Sequence, residues 1–276
     1  MTEALSVMKW PLIACLLLPG ILVYLGLHIV RREVIFVDLA LAQVASLGAC
    51  VSLLLGHEAA DTRTYIWSFG FTLVGAAIFA LTRMRNHSRV PQEALIGITY
   101  VVAAAAGILL LSRTAEGNEE LRRTLIGDVL LVSPKQVLKT FFIYLVIGAV
   151  HVVFRKKIML ISFEPERAAA EGLAVRWWDF LFYALFGLVV TSFVQIGGVL
   201  LVFSYLIVPA VCANLLASRV AVLLALGWGI ATGSGVLGLY AAYRFDLPTG
   251  AAIICALGAA LLLCEFAAVF LKKKAF

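Results

Sequence analysis

The chain has 276 residues, of which 63% are hydrophobic and 14% are charged, and its formal net charge is +6. This composition excludes a soluble globular protein, because a soluble core cannot bury so large an apolar fraction, and we predict an all-α, polytopic membrane protein. In such a chain the surplus of basic residues marks the cytoplasmic ends of helices, so we expect membrane lipid, and no nucleic acid, as a partner.

The membrane spans are predicted from continuous apolar runs, since one crossing takes about 20 residues of helix. The sixth and seventh runs are short and meet at residues 195–198, so this pair forms two spans, a re-entrant hairpin or one broken helix. The sequence therefore predicts eight or nine transmembrane helices. In chain order, the runs are residues 11–30, 39–56, 65–82, 94–112, 137–154, 180–196, 198–217, 220–243 and 249–271.

The orientation of the spans is predicted from Lys and Arg, which are enriched in cytoplasmic connections. One alternate set of connections holds fourteen of the 22 basic residues, and the other set holds eight. We expect the larger set to be cytoplasmic, which with nine spans places the amino terminus outside and the lysine tail inside. That set consists of Arg31, Arg32, Arg83, Arg85, Arg89, Arg155, Lys156, Lys157, Arg167, Arg176, Arg219 and Lys272, Lys273 and Lys274.

Two connections are long enough to hold further structure. The outer one, residues 113–136, contains an apolar stretch at 124–132 followed by Ser133 and Pro134. Because a proline disfavours helix in the residue before it, this pattern predicts a short helix at the outer surface and a helix boundary at the proline.

The inner connection, residues 155–178, contains a segment that favours a short helix. Pro165 suits the first helical turn, three alanines follow, and Gly172 suits the C-terminal cap. The predicted helix is exposed, carries charges of both signs and lies on the cytoplasmic side. It is either a docking element for a partner or a solvated helix that contacts nothing.

Five segments, in order along the chain, carry a resemblance to a known family. The most specific is the sequence D-L-P-T-G-A at residues 246–251, which joins the last two predicted helices. From about Arg31 to the last span, the chain resembles the permease subunit of metal-ion ABC importers, the class that takes up zinc, manganese or iron. The other matching segments are residues 93–98, 126–134, 164–172 and 206–210.

The resemblance implies a single transmembrane permease domain over residues 1–276, with the fold of a metal-type ABC importer permease, in the bacterial cytoplasmic (inner) membrane. The segment at about 163–176 is then the cytoplasmic coupling segment that engages ATP-binding cassette ATPase subunits. The resemblance also implies an extracytoplasmic metal-binding protein and a second permease copy, identical or closely related. The implied coupling residues are Glu164, Pro165, Glu166 and Gly172.

The chain contains no G-x-x-x-x-G-K-[ST] sequence, which is the phosphate-binding loop of many ATPases. We therefore expect no ATPase site and no bound cofactor in this chain, and we expect the partner subunit to hydrolyse ATP. The protein is predicted to be a transport subunit rather than an enzyme.

The second predicted helix departs from the family that the chain resembles. Family members carry an Asp and a His, four residues apart, where one helical face can offer a metal ion an oxygen and a nitrogen ligand. Alignment on Gly48 puts Leu39 and Gln43 at these two positions. The ligands of the metal ion are therefore left unassigned.

The substrate pathway is instead predicted to pass Asp38, Gln43 and Ser46 as weak oxygen donors. An acidic residue inside a membrane span is commonly functional. Asp38 equally suits a cap at the start of its helix, beside Arg31 and Arg32.

The alternative function is that of an ion-coupled secondary transporter. It would need ionisable groups at mid-membrane and repeated halves, whereas most charged residues here lie at the ends of spans. An intramembrane enzyme is disfavoured, because the sequence lacks a paired catalytic motif such as H-E-x-x-H.

Overall fold

The computed structural model describes residues 2–58, 61–83, 90–112, 125, 127 and 129–274, and for residues 2–7 and 271–274 it describes the backbone alone. These described residues form helices and no strands, which confirms the predicted all-α class. A 3₁₀ helix covers Val129–Leu131. The α-helices are α1 (Thr2–Arg32), α2 (Val37–Leu54), α3 (Thr62–Thr82), α4 (Gln92–Leu111), α5 (Pro134–Val153), α6 (Arg155–Phe163), α7 (Pro165–Ala170), α8 (Val175–Leu216), α9 (Val220–Phe245) and α10 (Thr249–Lys274).

Eight helices in the described part of the chain are long and apolar enough to cross a membrane, which is the lower of the two predicted counts. The sixth and seventh predicted runs form one helical run, α8, which is interrupted at Gly198 (φ 73°, ψ 167°). This backbone conformation is open essentially to glycine alone, so the sequence itself sets the break. Two helices thus meet at Gly198, and they are called α8a (residues 175–197) and α8b (residues 199–216).

Helix α6 was not predicted. It occupies nine residues of the inner connection and buries Ile158, Ile161 and Ser162. Its first turn is Arg155, Lys156 and Lys157, a basic run that the sequence analysis interpreted only as a marker of the cytoplasmic side. The inner connection thus holds two short helices where one was expected.

The outer connection confirms the predicted helix boundary at Pro134, where α5 begins. Gln136 Oε1 accepts a hydrogen bond from the backbone N–H of Ser133 at 2.9 Å, and Ser133 Oγ accepts one from the N–H of Gln136 at 3.3 Å. This reciprocal pair is a capping box, which satisfies two backbone donors at the helix start. The surface helix predicted at 124–132 lies partly outside the described residues.

The chain divides into two compact units by its internal contacts. The terminal unit consists of residues 1–30, 126–144 and 196–276, and the central unit consists of residues 31–125 and 145–195. The single domain expected over residues 1–276 stays a prediction.

In the terminal unit, α1 packs closely on α8b. Gly26 faces the backbone of Leu206, where a Cβ atom would lie 2.0 Å from the carbonyl oxygen, so this approach requires glycine. A buried apolar cluster continues the contact onto α9. Its members are Leu27, Ala210, Ala213 and Leu223.

In the central unit, α2 packs against both α3 and α4. Ser68 of α3 donates a hydrogen bond to the carbonyl of Ala45 in α2 at 2.8 Å. Thr72 Oγ1 of α3 lies 3.3 Å from Thr191 Oγ1 of α8a. Such bonds fix helix contacts in a lipid setting, where no hydrophobic force draws one apolar helix to another.

The predicted orientation can be checked by labelling introduced cysteines. The native Cys255 is exposed and the other four cysteines are buried, so the variant Cys255→Ser gives little labelling of native cysteines. In intact cells we expect a membrane-impermeant maleimide to label Glu58→Cys, in the connection after α2, and to label Ala169→Cys of α7 only after permeabilisation. The reverse pattern would invert the orientation and would remove α7 from the cytoplasm.

Candidate functional site

The predicted coupling segment contains the short helix α7, and this helix ends at Gly172 as expected. Gly172 has a φ of 76°. The N–H of Leu173 donates to the carbonyl of Ala168 at 3.1 Å, and the N–H of Gly172 donates to that of Ala169 at 3.0 Å. These two bonds form a Schellman cap, which satisfies the last carbonyls of the helix and requires a left-handed residue at its centre.

One side of α7 is exposed and carries ordered charges. Arg167 donates hydrogen bonds to Glu164 at 3.0 Å and to Glu171 at 2.9 Å, and these bonds raise the pKa of Arg167. Exposed pairs of this kind contribute little to stability. Glu166 is also exposed and forms no ion pair with any described residue, so its charge is available to a partner.

The other side of α7 is attached to its neighbours by a buried apolar cluster. Ala168 of α7 packs with one residue of α6 and one of α8a. Movement of α7 therefore cannot occur without displacing the side chains of both helices. The buried members are Ile161, Ala168 and Val175, and Leu160, Leu173 and Trp178 pack against them.

Three buried charged residues lie next to this attachment, and we call Arg32, Arg83 and Asp179 the arginine–aspartate cluster. Arg32 Nη1 donates to Asp179 Oδ1 at 2.8 Å, and Arg83 Nη1 donates to the same oxygen. Arg32 Nε also donates to Ser162 Oγ at 2.9 Å, and Arg83 Nη2 donates to the carbonyl of Ile161 at 3.1 Å. The cluster therefore joins the ends of α1 and α3 to α6 and to the start of α8a.

Several contacts compensate for the burial of these charges. The Arg32 guanidinium lies 3.8 Å from the centroid of the Phe182 ring, a cation–π contact. The Asp179 side chain is fully buried, and the Arg32 side chain is 1% exposed. Buried charges persist only when they are paired and hydrogen-bonded, so this arrangement holds the ends of four helices in one geometry.

This cluster was not predicted from the sequence. Arg83 served only to orient the spans, Arg32 served for that and as a possible neighbour of Asp38, and Asp179 had no predicted role. One signal was present, because Asp179 is the single acidic residue of the span 175–216 and an acidic residue in a span requires a partner. The identity of its partners could not be read from the sequence.

The three predicted pathway residues all lie on α2. Asp38 and Gln43 are buried, and Ser46 is half-buried. Helix α2 is continuous from Val37 to Leu54. With about 100° of rotation per residue, Gln43 and Ser46 are about 60° apart and share a face, whereas Asp38 and Gln43 are about 140° apart. The helix thus brings Gln43 and Ser46 together and directs Asp38 away from Gln43, while Asp38 and Ser46 are about 80° apart.

The alternative role of Asp38, as a cap beside two arginines, does not match the structure. Asp38 does lie in the first turn of α2, but the residue at the N-cap is Phe36. Arg32 binds Asp179, and the Arg31 guanidinium lies over the ring of Phe163. Neither arginine forms an ion pair with Asp38 among the described residues.

A preformed multidentate metal site is not found in the described residues, where no group of three or more His, Cys, Asp or Glu side chains could hold an ion.

Comparison with known proteins bears on the predicted family. The ABC 3 transport family matches residues 4–268. The chain is 32% identical, over 197 residues, to the manganese transport system membrane protein MntC of Listeria innocua, a match that covers 69% of this chain and 70% of that protein. It is 28% identical, over 229 residues, to the manganese import system permease protein ScaB of Streptococcus gordonii, covering 83% and 80%.

A solved structure agrees with these relatives. PsaBC from Streptococcus pneumoniae, solved in complex with Fab, has a TM-score of 0.80 and 25% sequence identity, and the match covers 95% of this chain and 93% of that chain. The predicted permease fold and the resemblance stated from the sequence motifs are therefore confirmed. Since the family match covers nearly the whole sequence, the chain belongs to the ABC 3 transport family.

Proposed function

We propose that this chain is the membrane-spanning subunit of an ATP-driven ABC importer for a divalent transition-metal ion, in the bacterial cytoplasmic membrane. Family membership supports a transport role, and two relatives carry manganese in their names, so manganese is the first substrate to test. The partners are ATP-binding cassette ATPase subunits, an extracytoplasmic metal-binding protein and a second permease copy, identical or closely related. The chain itself binds no cofactor, and the partner uses ATP.

The observation that carries this proposal is an exposed, capped helix attached to buried helix ends. Helix α7 offers Glu166 on its free side, where a cleft on an ATPase could receive it. On its other side, the apolar cluster and the arginine–aspartate cluster connect α7, through α6 and α8a, to the ends of α1 and α3. A displacement of α7 by the ATPase would then move these helices rather than be absorbed locally.

Reconstitution tests the proposal directly. The permease, its ATPase and its binding protein are placed in liposomes, and uptake of radioactive Mn²⁺ is measured with ATP and with a non-hydrolysable analogue. We expect uptake of Mn²⁺ with ATP and no uptake with the non-hydrolysable analogue. The ion-coupled secondary transporter predicts uptake driven by a proton or sodium gradient without ATP, and family membership argues against it.

We also propose that the substrate passes α2, with Gln43 and Ser46 as weak oxygen donors on one face and Asp38 near the helix start. Metal choice would then reside mainly in the external binding protein, since a permease needs only to lower the barrier for an ion that is already concentrated.

A double substitution tests the importance of the missing ligand pair. Leu39→Asp with Gln43→His puts a carboxylate and an imidazole four residues apart on one face of α2, where both can reach one ion. We expect the purified variant to bind Zn²⁺ or Mn²⁺ at least about tenfold more tightly than the native permease, by equilibrium dialysis. Each single substitution is the control, and equal affinity in the double and single variants would show that these positions do not face a common site.

A further inference from the structure

Glu93, in the first turn of α4, contacts the start of α2. Its Oε1 atom accepts a hydrogen bond from the backbone N–H of Phe36 at 2.9 Å. Phe36 is the N-cap of α2, and Asp38 lies two residues further, in the first turn of the same helix. The Glu93 carboxylate and Asp38 therefore both lie at the start of α2.

Asp38 is buried, Glu93 is half-buried, and both carboxylates are incompletely satisfied. The Asp38 residue is 1% exposed. Both oxygens of Asp38 and the Oε2 atom of Glu93 are shielded from solvent and have no hydrogen-bond partner among the described residues. Three carboxylate oxygens at the starts of α2 and α4 thus have no donor among the described residues.

No basic side chain of the described residues forms an ion pair with either carboxylate. The nearby Arg32 and Arg83 both bind Asp179. Burying a carboxylate such as that of Asp38 is costly unless it is paired, and a second carboxylate beside it adds repulsion. A bound cation would supply both the charge and the ligand contacts that these oxygens lack.

We propose that Asp38 and Glu93 form a binding site for the divalent metal substrate, at the ends of α2 and α4 that are predicted to be cytoplasmic. This inference rests on the proposed function and adds Glu93 to the pathway. Carboxylate oxygens are ligands that suit Mn²⁺, whereas softer metals favour thiolate or imidazole. The site also explains how a metal pathway could work without the Asp and His of the resembled family. Glu93 of α4 would supply a carboxylate ligand in addition to that of Asp38.

The pair has the properties of an exit site rather than a storage site. It provides two side chains, and one of their four oxygens is already used by Phe36 N–H. Water would complete the coordination of the ion, so binding would be weak enough to allow release into the cytoplasm.

Glu93→Gln separates this role from helix capping. The glutamine keeps an oxygen that can accept the bond from Phe36 N–H, but it loses the charge that a cation requires. We expect the affinity of the purified permease for Mn²⁺ alone, measured by the loss of the free-ion electron paramagnetic resonance signal, to fall about 10- to 100-fold. Asp38→Asn should have a similar effect. Glu265→Gln, which changes an exposed carboxylate of α10, is the matched control and should bind as the native protein does.

The thermal unfolding of each variant, with and without Mn²⁺, provides a second measurement. A ligand that binds the folded state raises the unfolding temperature. We expect that rise in the native protein, in Glu265→Gln and, reduced, in Glu93→Asp, which keeps the charge and serves as the test if Glu93→Gln fails to fold. The proposal is wrong if the native permease shows no Mn²⁺ binding, or if Glu93→Gln binds Mn²⁺ like the native protein. Where Glu93→Gln does not fold, it is wrong if Glu93→Asp binds Mn²⁺ like the native protein. Absence of ATP-driven uptake by the native complex would instead overturn the proposed function, so the two failures are distinguishable.

Discussion

Asp179→Ala is expected to lower the free energy of unfolding of the permease in detergent by about 3–5 kcal/mol. The substitution removes the oxygen that accepts hydrogen bonds from Arg32 and Arg83. Two guanidinium groups are then left without a counter-charge, in side chains that are 1% and 10% exposed. Water cannot replace the lost acceptor without entering the contact between the helices. The measurement is denaturant unfolding of the purified protein, followed by tryptophan fluorescence.

Glu171→Ala is the matched control for Asp179→Ala. It also removes a carboxylate bonded to an arginine, but on a surface where the two side chains are 63% and 49% exposed. Solvent replaces such a pair readily, so we expect no measurable change in the unfolding midpoint. Asp179→Asn keeps an acceptor oxygen and loses the charge, and its stability should fall between those of the native protein and Asp179→Ala. Equal stability of Asp179→Ala and Glu171→Ala would contradict the role given to the buried cluster.

The features predicted correctly from the sequence are those with local physical causes. Apolar runs long enough to cross the bilayer predict the spans, and Ser133, Pro134 and Gly172 predict helix ends by their backbone chemistry. Gly198 illustrates the limit of such reasoning. Its sequence context predicted an interruption near residues 195–198, and the backbone conformation places that interruption at Gly198.

The features that were missed depend on residues far apart in the chain. Arg32 and Asp179 are separated by 147 positions, and Arg83 and Asp179 by 96. Glu93 contacts Phe36 across 57 positions. No local pattern identifies such partners, because each residue taken alone is an ordinary charge at the end of a span. The charges can be recognised as needing partners, but the fold decides which partners they find.

The two clusters near the predicted cytoplasmic face differ in a way that suggests a division of roles. The arginine–aspartate cluster is an internally hydrogen-bonded network around one carboxylate oxygen, which suits a fixed structural connection. The pair of Asp38 and Glu93 leaves three of its four oxygens without a partner among the described residues, which suits a site that takes up and releases a ligand. Both lie at helix ends beside basic connections, so coupling and release would occur in one region of the central unit.

Gly172→Val is expected to uncouple ATP hydrolysis from transport while the protein still folds and inserts. A β-branched residue at a φ of 76° is strained by about 1–2 kcal/mol. No described atom lies within 4 Å of the position that its Cβ would occupy, so the effect comes from the backbone and not from a clash. That strain lowers the population of the capped form of α7 about 5- to 30-fold. Uptake of Mn²⁺ per ATP hydrolysed, measured in liposomes with the full complex, should fall by a similar factor.

Gly172→Asn makes this a test of conformation rather than of the loss of glycine as such. Asparagine adopts the left-handed region more readily than other residues with side chains, and it substitutes for glycine at helix ends. We therefore expect Gly172→Asn to transport nearly as the native protein does, although it adds a polar side chain where glycine has only a hydrogen atom. The unfolding midpoints of both variants should stay close to that of the native protein, because Gly172 is exposed and makes no side-chain contact.

If Gly172→Val transports normally, the cap of α7 is not needed for coupling and the docking role of α7 is wrong. If valine and asparagine impair uptake equally, the position is sensitive to size at an interface with the ATPase, and the explanation through backbone strain fails.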